Sequence, residues 1–383
     1  MAWIHDEAYF SEEKVREQAR KYGFSDPLPV EFFLWDCEIT AQLQRQSKDF
    51  ILKGGAAAQL HLPVEMQRGS IDVDIVASKK KDEVADILSQ IHKRTPSVDF
   101  EKYTPKRPHK EISMVTYLAK MQPLIPAKNG RLREVKIDFL LEDLELPAQV
   151  ITNKETFALN IKQLKCYSAS SLIGDKILTL AEKTIGITDL PDVPKQIYDI
   201  SVLLDSQTLT KSQISEIINT VGKIAPLEAK YRGLDATTEE VLNDIEQTMD
   251  KYALSDTPGA DPDIKRNIAN FQQFYVSASQ KWPLYDWCSR ILKIRFLCRL
   301  MKDAFEGKVT EEETFETIRS AIQVDRMLST VSGERIKAIN NSLRGLADTK
   351  IPYFRELKGK PLKRVFWQVL SENNLAKIIE VVK

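Results

Sequence analysis

The sequence predicts an α+β protein, a mixed β-sheet with flanking helices followed by a mainly α-helical C-terminal region. Three observations predict it. Residues 70–77 alternate in type, with Ile71, Val73 and Ile75 on one side and Asp72 and Asp74 on the other; period two marks a half-buried strand. Residues 82–93 gather Val84, Ile87, Leu88 and Ile91 on one helical face. Beyond Pro147, and from Ile161 onward, the pattern is helical with almost no alternating runs. The expected boundary lies near residue 150, with an α+β domain over 1–150 and a helical domain over 151–383.

The other elements follow in order. Glu12–Tyr22 reads as a polar helix that Pro27 and Pro29 end, and 30–46 as a second helix. Residues 50–53 are short and apolar and run into Gly54-Gly55, as a strand enters a turn. Residues 56–62 have high helix propensity. Residues 113–118 and 134–141 read as further strands. Pro258, Gly259 and Pro262 mark 255–263 as a loop. Residues 282–301 read as a core helix whose cations Arg290, Lys293, Arg295 and Arg299 snorkel to water.

Composition bounds the function. The chain has 383 residues, 43% hydrophobic and 29% charged, which is globular and too apolar for disorder. Lys plus Arg and Asp plus Glu are both 55, which argues against a general nucleic-acid coat protein while allowing a local basic patch. Cys37, Cys166, Cys288 and Cys298 form no Cys-x-x-Cys pair, so zinc of the common spacing is not expected. Scattered cysteines suit a reducing cytoplasm, the expected location. Residues 1–10 lack a signal-peptide core and no run of about 18 apolar residues occurs, so no membrane span is expected. His61, His92 and His109 show no catalytic arrangement, and Cys166 reads as an apolar filler.

The chemistry starts at Asp72-Val73-Asp74. Residues two apart on a strand share a face, and two carboxylates so placed repel unless a cation or water lies between them. Mg²⁺, a hard ion bound through carboxylates and substrate phosphates, is the natural cation. Alone, Asp-x-Asp is more often a solvated pair. Asp138, however, sits in the apolar run Val135-Lys136-Ile137-Asp138-Phe139-Leu140-Leu141, where a carboxylate is costly unless paired or metal-bound. Three carboxylates can hold Mg²⁺, orient a nucleoside triphosphate and activate an attacking hydroxyl, with Asp138 as base or orienter. Lys136 shares the face of Asp138 and neutralises phosphate or pairs with an acid. Gly54 and Gly55 let backbone N–H groups approach phosphate; for a lone Gly-Gly an ordinary tight turn is the stronger reading.

In combination these features resemble the nucleotidyltransferase superfamily, and more fully the AbiEii/AbiGii toxin family. The family's first motif is similar to Leu52-Lys53-Gly54-Gly55 followed by Arg68, Ser70, Asp72 and Asp74, and its Lys-x-Asp motif to Lys136-Ile137-Asp138. Its third motif matches Ser171 and Lys176, with Lys183 two helical turns beyond where the family usually has Arg. Its closing motif matches Lys195-Gln196-Ile197-Tyr198-Asp199. The resemblance covers about residues 10–205; Ala56 stands where the family often has Ser or Thr, and Gln196 where it often has an acid.

The resemblance implies a nucleotidyltransferase-like fold whose active site is completed by 161–205. It implies transfer of a nucleoside monophosphate from a triphosphate to an acceptor, by a toxin of a kind that modifies RNA, notably tRNA ends, or binds GTP, and that a cognate antitoxin neutralises. The site residues expected on it are Asp72, Asp74 and Asp138 for Mg²⁺. Gly54, Gly55, Ser70, Lys136, Lys176, Lys183 and Asp199 are expected for the nucleotide, with Lys176 also catalytic. A metal-dependent nuclease or a catalytically silent nucleotide-binding module would use the same carboxylates. Residues 102–136 hold nine Lys or Arg against two acids. Lys106, Arg107, Lys110, Arg131 and Arg133 thus suit an RNA backbone, and a solvated face equally well. Arg355, Lys358, Lys360, Lys363 and Arg364 read as a solvated surface.

Overall fold

The computed structural model describes residues 3–104, 113–127, 130–142, 144–207, 209–346, 357, 359–372 and 375–382. Lys106, Arg107, His109, Lys110, Arg355 and Lys358 lie outside them. The chain divides into two compact units. One comprises Met1–Lys176 with Lys230–Gly233 and Asn270–Lys281; the other comprises Ile177–Ala229, Leu234–Ala269 and Trp282–Lys383.

The first unit is built on a seven-stranded sheet of order β3-β4-β5-β2-β1-β7-β6. Its strands are β1 (Ile51–Lys53), β2 (Asp72–Val76), β3 (Val98–Tyr103), β4 (Met114–Met121), β5 (Arg133–Leu140), β6 (Ala148–Glu155) and β7 (Asn160–Tyr167). The sheet is mixed: β2 runs parallel to β5 and β1 to β7, and the other pairs are antiparallel. Its helices are α1 (Glu12–Tyr22), α2 (Leu28–Gln46), α3 (Gly54–Leu60), α4 (Lys81–Arg94) and all but the last two residues of α5 (Ala169–Leu178). Ser11 caps α1 by accepting from the Lys14 N–H, and Gly23 ends it in the left-handed conformation, which glycine takes without a Cβ penalty. The stop therefore comes before Pro27. Helix α2 lies against β2, β5 and β7, and α4 packs on α2 and β3. Val73, Ile75, Ile137 and Phe139 are all buried, as the alternation of the sequence requires.

Two strands correct the sequence reading. Sheet structure continues past residue 150 through β6 and β7, so the helical character expected from Ile161 begins only at α5. The cause is visible in the burial. Strand β6 is exposed along most of its length on both faces, so no period-two hydrophobic signal marks it. Strand β3 carries no such signal either, since only Val98 of its six residues is buried.

The second unit is helical, from α6 (Val193–Ser206), α7 (Lys211–Tyr231), α8 (Thr238–Tyr252) and the first part of α9 (Pro262–Tyr275) to α10 (Leu284–Phe305), α11 (Glu311–Leu328), α12 (Glu334–Leu346), α13 (Leu362–Glu372) and α14 (Leu375–Val382). Helix α10 packs on α6, α8, α11 and α13 and buries Trp287, Ile291, Ile294, Leu297 and Met301. Its cations end on acids: Arg290 and Lys293 pair with Asp205, Arg295 with Asp250 and Lys302 with Glu246. Arg299 instead donates to the carbonyls of Leu370 and Ser371 near the end of α13, where a cation also suits the helix dipole. Arg364 corrects another reading. It is 2% exposed, donating to Asp256 and the Ala253 carbonyl, because a buried guanidinium must be paired. Lys360 and Lys363 likewise meet Asp256 and Asp325. Among the described residues no helix is long and apolar enough to cross a membrane.

Candidate functional site

Sheet register assembles the site. Asp74 on β2 lies opposite Asp138 on parallel β5, Lys53 on β1 lies opposite Asp74, and Thr116 on β4 lies opposite Asp138. Registered neighbours project to one face, so Thr116, Asp138, Asp74 and Lys53 form one polar row across four strands. Asp72 and Lys136 are opposite each other one repeat along.

Asp138 is held at both oxygens. Thr116 Oγ1 donates to Oδ1 at 2.6 Å and Lys136 Nζ to Oδ2 at 2.5 Å. Burial, the largest influence on Lys136, works against its charge, but Asp138, Asp72 and Asp74 outweigh it and raise its pKa. Desolvation, then the Asp138 charge, pushes the Asp74 carboxyl from 3.8 up to about 6, with Lys53 and Lys176 opposing. Below β2, burial drives the fully buried Asp36 of α2 well above the carboxylate range, with the Asp72 charge adding to it and the Ser70 hydroxyl opposing.

The Gly54-Gly55 turn closes over this row. Gly54 has φ +70°, and a Cβ there would stand 1.9 Å from Asp74 Oδ2; the backbone comes this close only as glycine. A Cβ at Gly55 would meet Arg68 Nη2 and Ser70 Oγ, each at 3.2 Å. Ser70 is buried, and Lys176, in the last turn of α5, is 3% exposed with its charge felt at Asp74. Lys53 Nζ reaches Asp175 Oδ1 at 3.3 Å.

Other expected residues lie elsewhere. Helix α5 stops at Leu178, so Lys183 is not two turns along it. In the helical unit its N–H donates to Asp244 and its Nζ to Gln247. Lys195 and Asp199 do lie one turn apart on α6, with Asp199 fully buried and Lys195 paired with Asp192. Arg131 is exposed. Arg133 is a structural cation: it binds Glu31 through two nitrogens, at 3.0 and 2.9 Å, and also donates to the Ile125 carbonyl. Glu31 has no exposure, and a buried acid requires such a partner. His61 and His92 bond to the carbonyls of Tyr167 and Val98, and Cys166 is buried. Sequence reasoning did not single out Thr116, Asp175 or Asp36, and placed Lys53 in the first motif without a role; only the register and the packing of α2 and α5 reveal these contacts.

Among the described residues no three His, Cys, Asp or Glu side chains converge to enclose a metal ion as they stand. The registered carboxylates Asp74 and Asp138, one with its pKa raised partly by the other, are oxygen donors of the kind a hard cation takes; the Lys136 ammonium lies on the second. One consequence is measurable without metal. Between pH 3.8 and about 6 the folded chain keeps a proton at Asp74 that the unfolded chain releases, so this group's contribution to stability falls as pH rises through the window. Asp74→Asn is expected to flatten that fall in metal-free denaturation midpoints. Parallel profiles for variant and wild type would contradict the assignment.

Residues 40–287, about two-thirds of the chain, match the family described as "Nucleotidyl transferase AbiEii toxin, Type IV TA system". No curated protein matches the sequence. Among solved structures, MenT4, a nucleotidyltransferase toxin from Mycobacterium tuberculosis H37Rv, is 12% identical with a TM-score of 0.45, covering 81% of this chain and 99% of its own. An antigenic nucleotidyltransferase-like protein from Paracoccidioides brasiliensis is 16% identical with a TM-score of 0.32, covering 54% of this chain and 94% of its own. The family match spans both the carboxylate row and the glycine turn, and the chain belongs to the AbiEii nucleotidyltransferase toxin family.

Proposed function

We propose that the protein transfers a nucleoside monophosphate from a nucleoside triphosphate to a hydroxyl of an RNA acceptor such as a tRNA end, releasing pyrophosphate, and that a cognate antitoxin restrains it. The observation that carries this reading is the registered pair Asp74 and Asp138 beneath the Gly54-Gly55 turn. Asp72, Asp74 and Asp138 would hold Mg²⁺, which when bound supplies charge for the triphosphate and a more acidic acceptor hydroxyl. Asp138 takes the acceptor proton at Oδ2, while Thr116 fixes the carboxylate through Oδ1. Lys136, released from Asp138, neutralises phosphate charge. Gly54, Gly55, Ser70 and Lys176 grip the triphosphate. The roles of Lys183 and Asp199 rest on the family motif alone.

A nuclease would need no triphosphate grip, so the glycine turn favours transfer. Incubation with each α-labelled nucleoside triphosphate, Mg²⁺ and total cellular RNA is the test: label should enter RNA that has grown by the added nucleotide. Shortened, unlabelled RNA would replace transfer with cleavage. Of the basic stretch, Lys106, Arg107, Lys110 and the exposed Arg131 remain candidates for the acceptor backbone, and Arg133, committed to Glu31, drops out.

Lys176→Ala should weaken triphosphate binding about tenfold or more, on the scale of one hydrogen bond to a charged group, and leave RNA binding nearly unchanged. Equal nucleotide affinity by equilibrium dialysis would make Lys176 a structural residue beside Asp74.

A further inference from the structure

We propose that Phe271 and Tyr275, at the C-terminal end of α9, are positioning residues that hold Arg68 beneath the Gly54-Gly55 turn and thereby set the grip on the triphosphate. This inference rests on the function proposed above. Residues Asn270–Lys281 belong to the sheet unit although the chain before and after them is helical-unit sequence. The segment is tied down by backbone bonds: Gly69 N–H donates to the Tyr275 carbonyl at 2.8 Å, and Ala278 N–H to the Gly23 carbonyl at 3.0 Å.

Phe271 and Tyr275 are one helical turn apart and stack, with ring centroids 5.7 Å apart. The Arg68 guanidinium carbon lies 5.9 Å from each centroid, within cation–π range. Arg68 is 3% exposed, so it acts through its neighbours. Its Nη2 lies 3.2 Å from where a Gly55 Cβ would stand, which places the guanidinium beside the turn. Gln59 completes the linkage, donating to the Gly55 carbonyl at 3.0 Å and accepting from the Arg68 N–H at 2.9 Å. Tyr275 thus fixes residue 69 through its carbonyl and residue 68 through its ring. The turn, Arg68 and the lead into β2 are set as one body by a segment some two hundred residues later.

Phe271 is buried and its truncation threatens the fold, whereas Tyr275 is half-buried. Tyr275→Leu keeps apolar bulk and removes the ring; Tyr275→Phe keeps the ring. The full-length proteins are compared for binding of each nucleoside triphosphate with Mg²⁺, and for amide hydrogen exchange at Gly54, Gly55 and Ala56 without nucleotide. Tyr275→Leu is expected to raise Kd about three- to tenfold, on the scale of a cation–π contact at a half-buried ring, and to speed exchange at the turn; Tyr275→Phe should match wild type in both. Unchanged exchange and affinity in Tyr275→Leu would overturn the inference, as would an equal loss in Tyr275→Phe, which would assign the effect to the hydroxyl. A wild-type protein that binds no triphosphate would overturn the proposed function and the grip, while faster exchange in Tyr275→Leu would still support the clamp on the turn.

Discussion

Asp72→Ala and Asp74→Ala are each expected to abolish nucleotide transfer while leaving the protein folded. Both side chains lie on the partly exposed face of β2, opposite the buried Val73 and Ile75. Neither removal opens a cavity in the apolar core. At Asp74 truncation also relieves a desolvated carboxylate from the Asp138 charge, so thermal stability near neutral pH should hold or rise. Activity should fall at least about a hundredfold, because metal-held charge contributes several kcal/mol to such transition states. Initial rates of label transfer and a thermal melt on the same preparations separate the two effects. Full transfer activity in either variant would remove the metal assignment; a collapsed melt would make the pair structural.

Much of this site was legible because carboxylates that share a strand face declare themselves by alternation. Asp72 and Asp74 needed only period two, and Asp138 stood out as an acid in an apolar strand. The partners of these acids were not legible. Thr116 matters because β4 runs antiparallel to β5 in a register that brings it to Asp138. Nothing in Met114–Met121 distinguishes that threonine from any other strand threonine. Lys53 and Asp175 meet across 122 positions, and Asp36 acquires its environment from the packing of α2. Periodicity also failed where neither face of a strand is buried, as in β6 and in β3 beyond Val98. The basic stretch shows the opposite error: a local excess of cations was visible, but Arg133 is committed to Glu31 from a helix about a hundred residues earlier. Long-range pairing of this kind leaves no trace in local composition.

Gly54→Ala is expected to cost both stability and activity. Its φ of +70° is a conformation that side chains with a Cβ adopt at a cost of about 1–2 kcal/mol. The added Cβ would also lie 1.9 Å from Asp74 Oδ2 and 2.8 Å from its Cγ, so either the turn or the carboxylate must shift. Displacement by about 1 Å at a reacting centre is enough for a hundredfold loss of rate. Two glycines separate the causes. Gly130 shares a positive φ, +61°, with nothing within 4 Å of a new Cβ; Gly130→Ala should show the strain alone, about 1 kcal/mol in denaturant titration, with transfer intact. Gly55 has no positive φ and a Cβ there would meet the ends of Arg68 and Ser70 at 3.2 Å. Those side chains can yield by tenths of an ångström, so Gly55→Ala should weaken triphosphate binding with a smaller loss of turnover than Gly54→Ala. A Gly54→Ala protein that transfers at the Gly130→Ala rate would show that the close approach of this turn to Asp74 is not needed for the chemistry.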